Sequence, residues 1–369
     1  MKGRIAPRAE ISGLPRTVHG GQGWRFEGVE DYSHNLNPFG PPDGLETVVS
    51  EALGSVGHYP DDSCAALKEA VSSAYDVGED EIVVGAGSSD IIRCVPNTFF
   101  EKGDRVVIPS PSFAEYSQQC RIVGARIDPF ELLPEEDFRI DADRLLERAE
   151  GARAVYICNP NNPTGRIEPK DKLLRIVREC EDMGVLVFLD ETLLELVPGF
   201  VDNTLSGHVR RFNNLIVASS LTKSFAIPGI RIGFGFANPD LADAMNGVRM
   251  TWNVGAIEQA VGTALLRDFR SHVDRAASIM AVESEVMNAA LKEIGFPAGD
   301  VSDSFFYFTS VEPLGMDAGE FNARMEKRGV SVRDCSSFGP AWSSYVRYSV
   351  KDKERNCRFV AAVDSVING

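Results

Sequence analysis

No two cysteines of this chain stand at Cys-x-x-Cys spacing, although seven are present, and its five histidines lie far apart. That excludes a disulfide framework and a sequence-local zinc site, and points to a reducing compartment. Long apolar runs are also missing. No window approaches 18 apolar residues, and "MKGRIAPRAEISGLPRTVHGG" lacks the apolar core of a signal peptide. A cytoplasmic protein is expected. Basic residues are in short supply, 38 against 54 acidic, for a net charge of −16. Such a surface repels phosphate backbones and anionic lipid, so neither nucleic acid nor membrane is expected as a partner. An anionic ligand would need a local basic pocket.

What is present is a regular alternation. From about residue 46, helical periodicity alternates with short β-branched runs. "LETVVSEALGS", "SCAALKEAVSSAY", "AEYSQQCRIVG" and "KDKLLRIVRECEDMG" read as helices. "EIVVGAG", "RVVIPS", "RAVYICNP", "VLVFLDE", "NLIVASS" and "GIRIGFGFA" read as strands. Strands this apolar, separated by helices, predict an α/β domain whose mostly parallel sheet is covered on both faces. Residues 46–255 are assigned to this large domain. Residues 256–369 are assigned to a long helical link and a small α+β domain with strands "SFFYFTS", "GVSVRD" and "YVRYSV". Residues 1–45 form an irregular arm expected to join the small domain.

Three polar clusters, 159–164, 190–192 and 219–223, fall just beyond strand ends, where open α/β sheets bind ligands. The last contains Lys223, between hydroxyl residues and a Pro-Gly turn. A lysine held at a sheet edge can form an imine with a carbonyl. The carbonyl most often held this way is that of pyridoxal 5′-phosphate. It needs an anion site, an acid near its ring nitrogen and a flat group against the ring. "GAGSSD" joins a strand to a helix start, so Gly87, Ser88 and Ser89 can present backbone N–H groups to a phosphate. Ser220 and Arg231 flank Lys223 and can complete that site. Asp190 ends an apolar strand, where a carboxylate needs a cationic partner. Asn162 can bond the ring's phenolic oxygen, and Phe113 can pack on its face. Each feature alone is common in loops and cores; their order and spacing together are not.

In chain order, "NLNPFG", "HYPD", "GAGSSD", "PSFAEY", "NPNNPTG", "LDET", "SSLTKSFAIPGIRIGF" and "VRYSV" resemble fold-type I pyridoxal-phosphate enzymes of the aminotransferase class I/II superfamily. The resemblance spans nearly the whole chain. It implies a large domain with a mostly parallel seven-stranded sheet and a smaller α+β domain. It implies Lys223 as the covalent anchor of the cofactor, Ser220 and Arg231 on its phosphate, Asp190 on its ring nitrogen and Asn162 on its phenolic oxygen. It also implies Tyr59 reaching the neighbouring subunit's cofactor in a homodimer, and Arg347 on a substrate carboxylate.

Two branches share these elements, the threonine-phosphate decarboxylases of cobamide biosynthesis and the histidinol-phosphate aminotransferases. "RTVHGG", "DYSHNLNPFG", "LTKSFAIPGIRIG", "MTWNVGA" and "VRDCSSFGP" are more similar to the decarboxylases. That likeness implies a small phosphorylated amino-acid substrate facing His19, Asn35, Gly40 and Arg333. It further implies decarboxylation of L-threonine O-3-phosphate to (R)-1-amino-2-propanol O-2-phosphate. One position departs from the aminotransferase pattern: Leu193 stands where a tyrosine usually follows the ring-pairing aspartate. An aminotransferase and a non-catalytic cofactor-binding paralogue or regulator remain the alternatives.

Overall fold

A computed structural model describes residues 5–18, 20–21 and 28–369. In chain order the strands are β1 (Glu30–Asp31), β2 (Ile82–Gly85), β3 (Arg105–Ser110), β4 (Arg126–Glu131), β5 (Ala154–Cys158), β6 (Leu186–Asp190), β7 (Leu215–Ser220), β8 (Gly233–Ala237), β9 (Phe306–Ser310), β10 (Val330–Ser331), β11 (Arg333–Asp334) and β12 (Tyr345–Ser349). Seven form one sheet in the order β2-β8-β7-β6-β5-β3-β4. Only β8 runs antiparallel to its neighbours. This is the mixed α/β, mostly parallel, helix-flanked sheet that the sequence predicts.

The central strands are apolar throughout because both faces are buried. Side chains alternate across a strand, so successive residues feed opposite cores. On β6, Val187 and Leu189 join one apolar cluster and Leu186 and Phe188 the other. On β5, Val155 and Ile157 divide from Ala154 and Tyr156 in the same way. Flanking helices show one apolar stripe each. The helix Lys170–Asp182 buries Leu173, Ile176, Val177 and Cys180, the spacing of a single helical face.

Three features depart from the sequence reading. The edge strand β4, "RIDPFE", carries a proline and an exposed, mixed face, so neither its propensity nor its pattern marks it. The segment "GVSVRD" is two strands rather than one. β10 pairs with β1, and β11 pairs with β12, which also pairs with β9. The helical stretch after residue 255 divides at Phe269 into Ala256–Asp268 and Arg270–Glu293.

The arm reaches both parts of the molecule. β1 joins β10 in the small domain's direction. Upstream, Arg8 donates to the Ile122 carbonyl (2.7 Å), and the Pro15 carbonyl accepts from Gln118 (3.0 Å), both partners on or beside the helix Ala114–Ile122. Among the described residues no helix is long and apolar enough to cross a membrane.

Candidate active site

The sheet's connectivity gathers the chemistry. The carboxyl ends of β2, β5, β6 and β7 lie at one edge, and antiparallel β8 begins there. Register places Gly85 and Ser220 beside Gly233, and Cys158 beside Asp190. An open cleft of about 1060 Å³ lies over this edge. Its walls include Ser88, Ser89, Phe113, Asn162, Asp190, Ser220, Lys223 and Arg231 from the large sheet's loops. Asn35 comes from the arm, and Arg333 and Arg347 come from the small sheet.

At one end of the cleft, Gly87 (φ +81°) turns β2 into the helix Ser88–Phe99. A Cβ at Gly87 would meet Arg231 Nη2 at 2.6 Å, and one at Gly233 would meet the Ser88 amide at 2.4 Å. Only glycine allows this approach. It sets a helix N-terminus, two serines and a guanidinium around one space, a form suited to a phosphate. Arg231 makes no ion pair with a carboxylate among the described residues; its Nη1 donates to the Pro228 carbonyl (3.3 Å). Ser220 donates to the Ile232 carbonyl (2.9 Å), tying β7 to the Arg231 loop.

Deeper in, Asp190 is buried and accepts from Tyr116 Oη (2.7 Å) and the Thr192 amide (2.9 Å). Burial raises its pKa above the usual carboxylate value, and these bonds and Lys223 oppose the rise. A cation beside it would remove the conflict. Lys223, in the short helix Leu221–Ser224, is pushed down to about 8 by burial first, then by Arg347 and Arg231. Phe113 lies edge-on to Tyr116, with centroids 5.5 Å apart.

The third region is cationic. Register pairs Arg333 on β11 directly with Arg347 on β12, so two guanidiniums enter the cleft as cross-strand neighbours. Burial and then Arg333 both hold Arg347 down, to about 10, against the pull of Cys335 and Asp31. Arg347 donates to Asn162 Oδ1 and to the Ser33 carbonyl, and its Nε has no partner among the described residues. Arg333 donates to the Val18 carbonyl (2.9 Å) and to Ser337 (2.6 Å). A buried guanidinium with a half-buried one as its cross-strand neighbour calls for an anion.

Three described sequence-predicted residues are not among the cleft's walls: Gly87, which shapes its end, Tyr59 and Gly40. Tyr59 is 72% exposed and stacks on Trp252, centroids 4.1 Å apart. Gly40 turns away, its carbonyl 2.9 Å from His272 Nε2. His19 lies outside the described residues. Sequence reasoning also missed residues that line the cleft: His34, Tyr116, Cys158, Thr192 and Thr222. Tyr116 carried a signal, standing in the first turn of the helix Ala114–Ile122 directly after Phe113.

The chain matches the family model "Aminotransferase class I and II" over residues 30–363. It belongs to that family. Pyridoxal 5′-phosphate is the cofactor of its fold-type I enzymes, and the chain is a pyridoxal-phosphate-dependent enzyme of this class. It is 30% identical over 327 residues to a histidinol-phosphate aminotransferase of Ruminiclostridium cellulolyticum, covering 87% of this chain and 88% of that one. It is 29% identical over 329 residues to a provisionally named threonine-phosphate decarboxylase of Caldanaerobacter subterraneus, covering 89% and 88%. Among solved structures, the histidinol-phosphate aminotransferase of Clostridium acetobutylicum superposes with a TM-score of 0.84. It is 26% identical, with 92% of this chain and 99% of that chain covered.

The cleft's own unmet needs fit the cofactor. Thr192 Oγ1, Thr222 Oγ1, Asn35 Oδ1, His34 Nδ1 and Arg347 Nε are buried without partners among the described residues, and all five residues line the cleft. Buried polar atoms are rarely left so in a closed core. A polar ligand is the natural partner for such a set.

Proposed function

We propose that this enzyme is a carboxy-lyase acting on L-threonine O-3-phosphate, with the phosphorylated amine (R)-1-amino-2-propanol O-2-phosphate as product. The cross-strand pair Arg333–Arg347 supports the substrate class most directly. With the cofactor phosphate assigned to Ser88, Ser89, Ser220 and Arg231, two further guanidiniums face the same cleft. A substrate with both a carboxylate and a phosphate uses both. Leu193, buried and lining the cleft, supports the lyase branch, because no tyrosine hydroxyl stands there.

In this reading Asp190 holds the ring nitrogen, Asn162 the phenolic oxygen, Phe113 the ring face and Lys223 the cofactor's carbonyl carbon. Bound pyridoxal phosphate supplies an electron-withdrawing ring that stabilises negative charge at the substrate's α-carbon. Arg333 and the arm segment around His19 anchor the substrate phosphate and orient the carboxylate for release. The C–C bond breaks, CO2 leaves, and Lys223 delivers one proton to the α-carbon. Its lowered pKa places that proton transfer close to neutral pH. The exposed Tyr59–Trp252 stack supports a homodimer in which Tyr59 serves the neighbouring site. A cytoplasmic enzyme of corrinoid nucleotide-loop synthesis follows from the same reading.

Amino transfer is the second reading, and one contact favours it. Arg347 is bonded to Asn162. A carboxylate held by Arg347 would sit beside the residue assigned to the phenolic oxygen, and holding it there would favour loss of the Cα proton over loss of CO2. Turnover in D2O separates the two. Decarboxylation gives aminopropanol phosphate with one deuterium at the carbon that bore the carboxylate. Transfer gives a 2-oxo acid phosphate and no CO2, and that product would overturn the lyase reading.

A further inference from the structure

Beyond the residues assigned so far, the cleft holds a histidine that neither the motifs nor the chemistry above employs. His34 lines the cleft, is mostly buried, and has no hydrogen-bond partner for Nδ1 among the described residues. Its backbone is pinned on both sides. Ser33 N donates to Asp31 Oδ1 (2.7 Å), Ser33 Oγ accepts from the Gly21 amide (3.0 Å), and the Ser33 carbonyl accepts from Arg347. On the other side, Asn37 N donates to the Lys223 carbonyl (2.9 Å) and Asn37 Nδ2 to the Ser224 carbonyl (2.8 Å). The imidazole is therefore carried on a segment fixed between the arginine pair and Lys223.

The arginines alone offer few free donors for a phosphate. Each terminal nitrogen of Arg347 uses one of its two N–H groups within the protein, one on Asn162 and one on Ser33. Arg333 Nη2 is shared between Val18 and Ser337. A phosphate's three terminal oxygens and a carboxylate's two together accept more bonds than the remaining N–H groups of the two arginines supply. A neutral imidazole has one N–H to donate, and no group among the described residues fixes its tautomer through Nδ1.

We infer that His34 is a specificity-determining contact that donates a hydrogen bond to the substrate's phosphate, completing the anion site begun by Arg333 and Arg347. This rests on the phosphorylated-substrate reading above. The ring acts as a neutral donor: burial first, then Lys351, Lys223 and Arg347, hold its pKa down to about 4, against the opposing pull of Asp31.

The test measures binding of inorganic phosphate and, separately, acetate to the cofactor-loaded enzyme by calorimetry. The native protein is compared with His34→Ala, His34→Asn and Arg333→Gln, each checked for unchanged cofactor absorbance and melting temperature. His34→Ala is expected to weaken phosphate roughly 10-fold while acetate changes less than about 2-fold, the loss of one hydrogen bond to a charged group. His34→Asn, which keeps an N–H donor, is expected to recover part of the loss. Phosphate binding unchanged in His34→Ala but lost in Arg333→Gln would overturn the role of His34 and leave the phosphate site standing. Weakened acetate with unchanged phosphate would overturn it in favour of a carboxylate contact. No phosphate binding by the native enzyme, and none by Arg333→Gln, would overturn the phosphorylated-substrate reading itself.

Discussion

The reactivity of Lys223 can be set by its neighbours and measured without substrate. An amine attacks only when neutral. With a pKa of about 8, about a tenth of Lys223 is neutral at pH 7; an ordinary lysine has only about three parts in ten thousand. The advantage is therefore ~300-fold. Burial is its largest source, followed by Arg347 and Arg231, while Asp190 works against it. Removing a cation must then raise the pKa, and removing the carboxylate must lower it. In cofactor-free protein, Arg347→Gln should move the midpoint up by ~0.5–1 pH unit, and Asp190→Asn should move it down by a similar amount. Competitive labelling of Lys223 with a small acylating reagent across pH 6–11, read by peptide mass spectrometry, gives each midpoint. A native midpoint near 10.5, or shifts of the same sign in both variants, would refute the electrostatic account of this lysine.

Other outcomes follow from the same geometry. Lys223→Ala should lose roughly 10³-fold or more of turnover with its circular dichroism unchanged. Tyr116→Phe leaves Asp190 Oδ2 without its 2.7 Å donor, and urea unfolding of cofactor-free protein should show a loss of ~1–3 kcal/mol. Arg270→Met strands the buried carboxylate of Glu195, which also accepts from Tyr75 (2.6 Å). A loss of ~3–5 kcal/mol should appear as a lower melting temperature. Gly233→Ala drives a Cβ into the Ser88 amide, so equilibrium dialysis should show cofactor affinity reduced by an order of magnitude or more.

The large sheet was legible because its strands are buried on both faces, and continuous apolar runs such as "VLVFLD" leave little else to read. The cofactor end of the site was legible for a related reason. Parallel strands place Asp190, Asn162 and Ser220 at one edge, so polar residues just past apolar runs mark it. Arg231 needed more. It stands before an antiparallel strand, and only the reversal of β8 brings it to the same edge. β4 was hidden by Pro129 and its exposed face. The split at Val332 was hidden because β10 and β11 belong to different sheets, a tertiary choice with no local signal. His34 offered no periodic pattern, being a lone histidine in an irregular arm. Gly21 lies against its Cβ, and the bond from Arg347 to the neighbouring Ser33 carbonyl ties its segment to a strand distant in sequence. Tyr59 lies outside this chain's own cleft, where one chain's geometry leaves its role to the proposed dimer.

The central claim is that this cleft releases CO2 from a phosphorylated amino acid. Its most direct test incubates the cofactor-loaded enzyme with carboxyl-labelled L-threonine O-3-phosphate, and in parallel with glutamate and imidazole-acetol phosphate. The account predicts stoichiometric labelled CO2 in the first vessel and no glutamate-dependent amination in the second. Amination without CO2 release would contradict it and assign the Arg333–Arg347 pair to an aminotransferase.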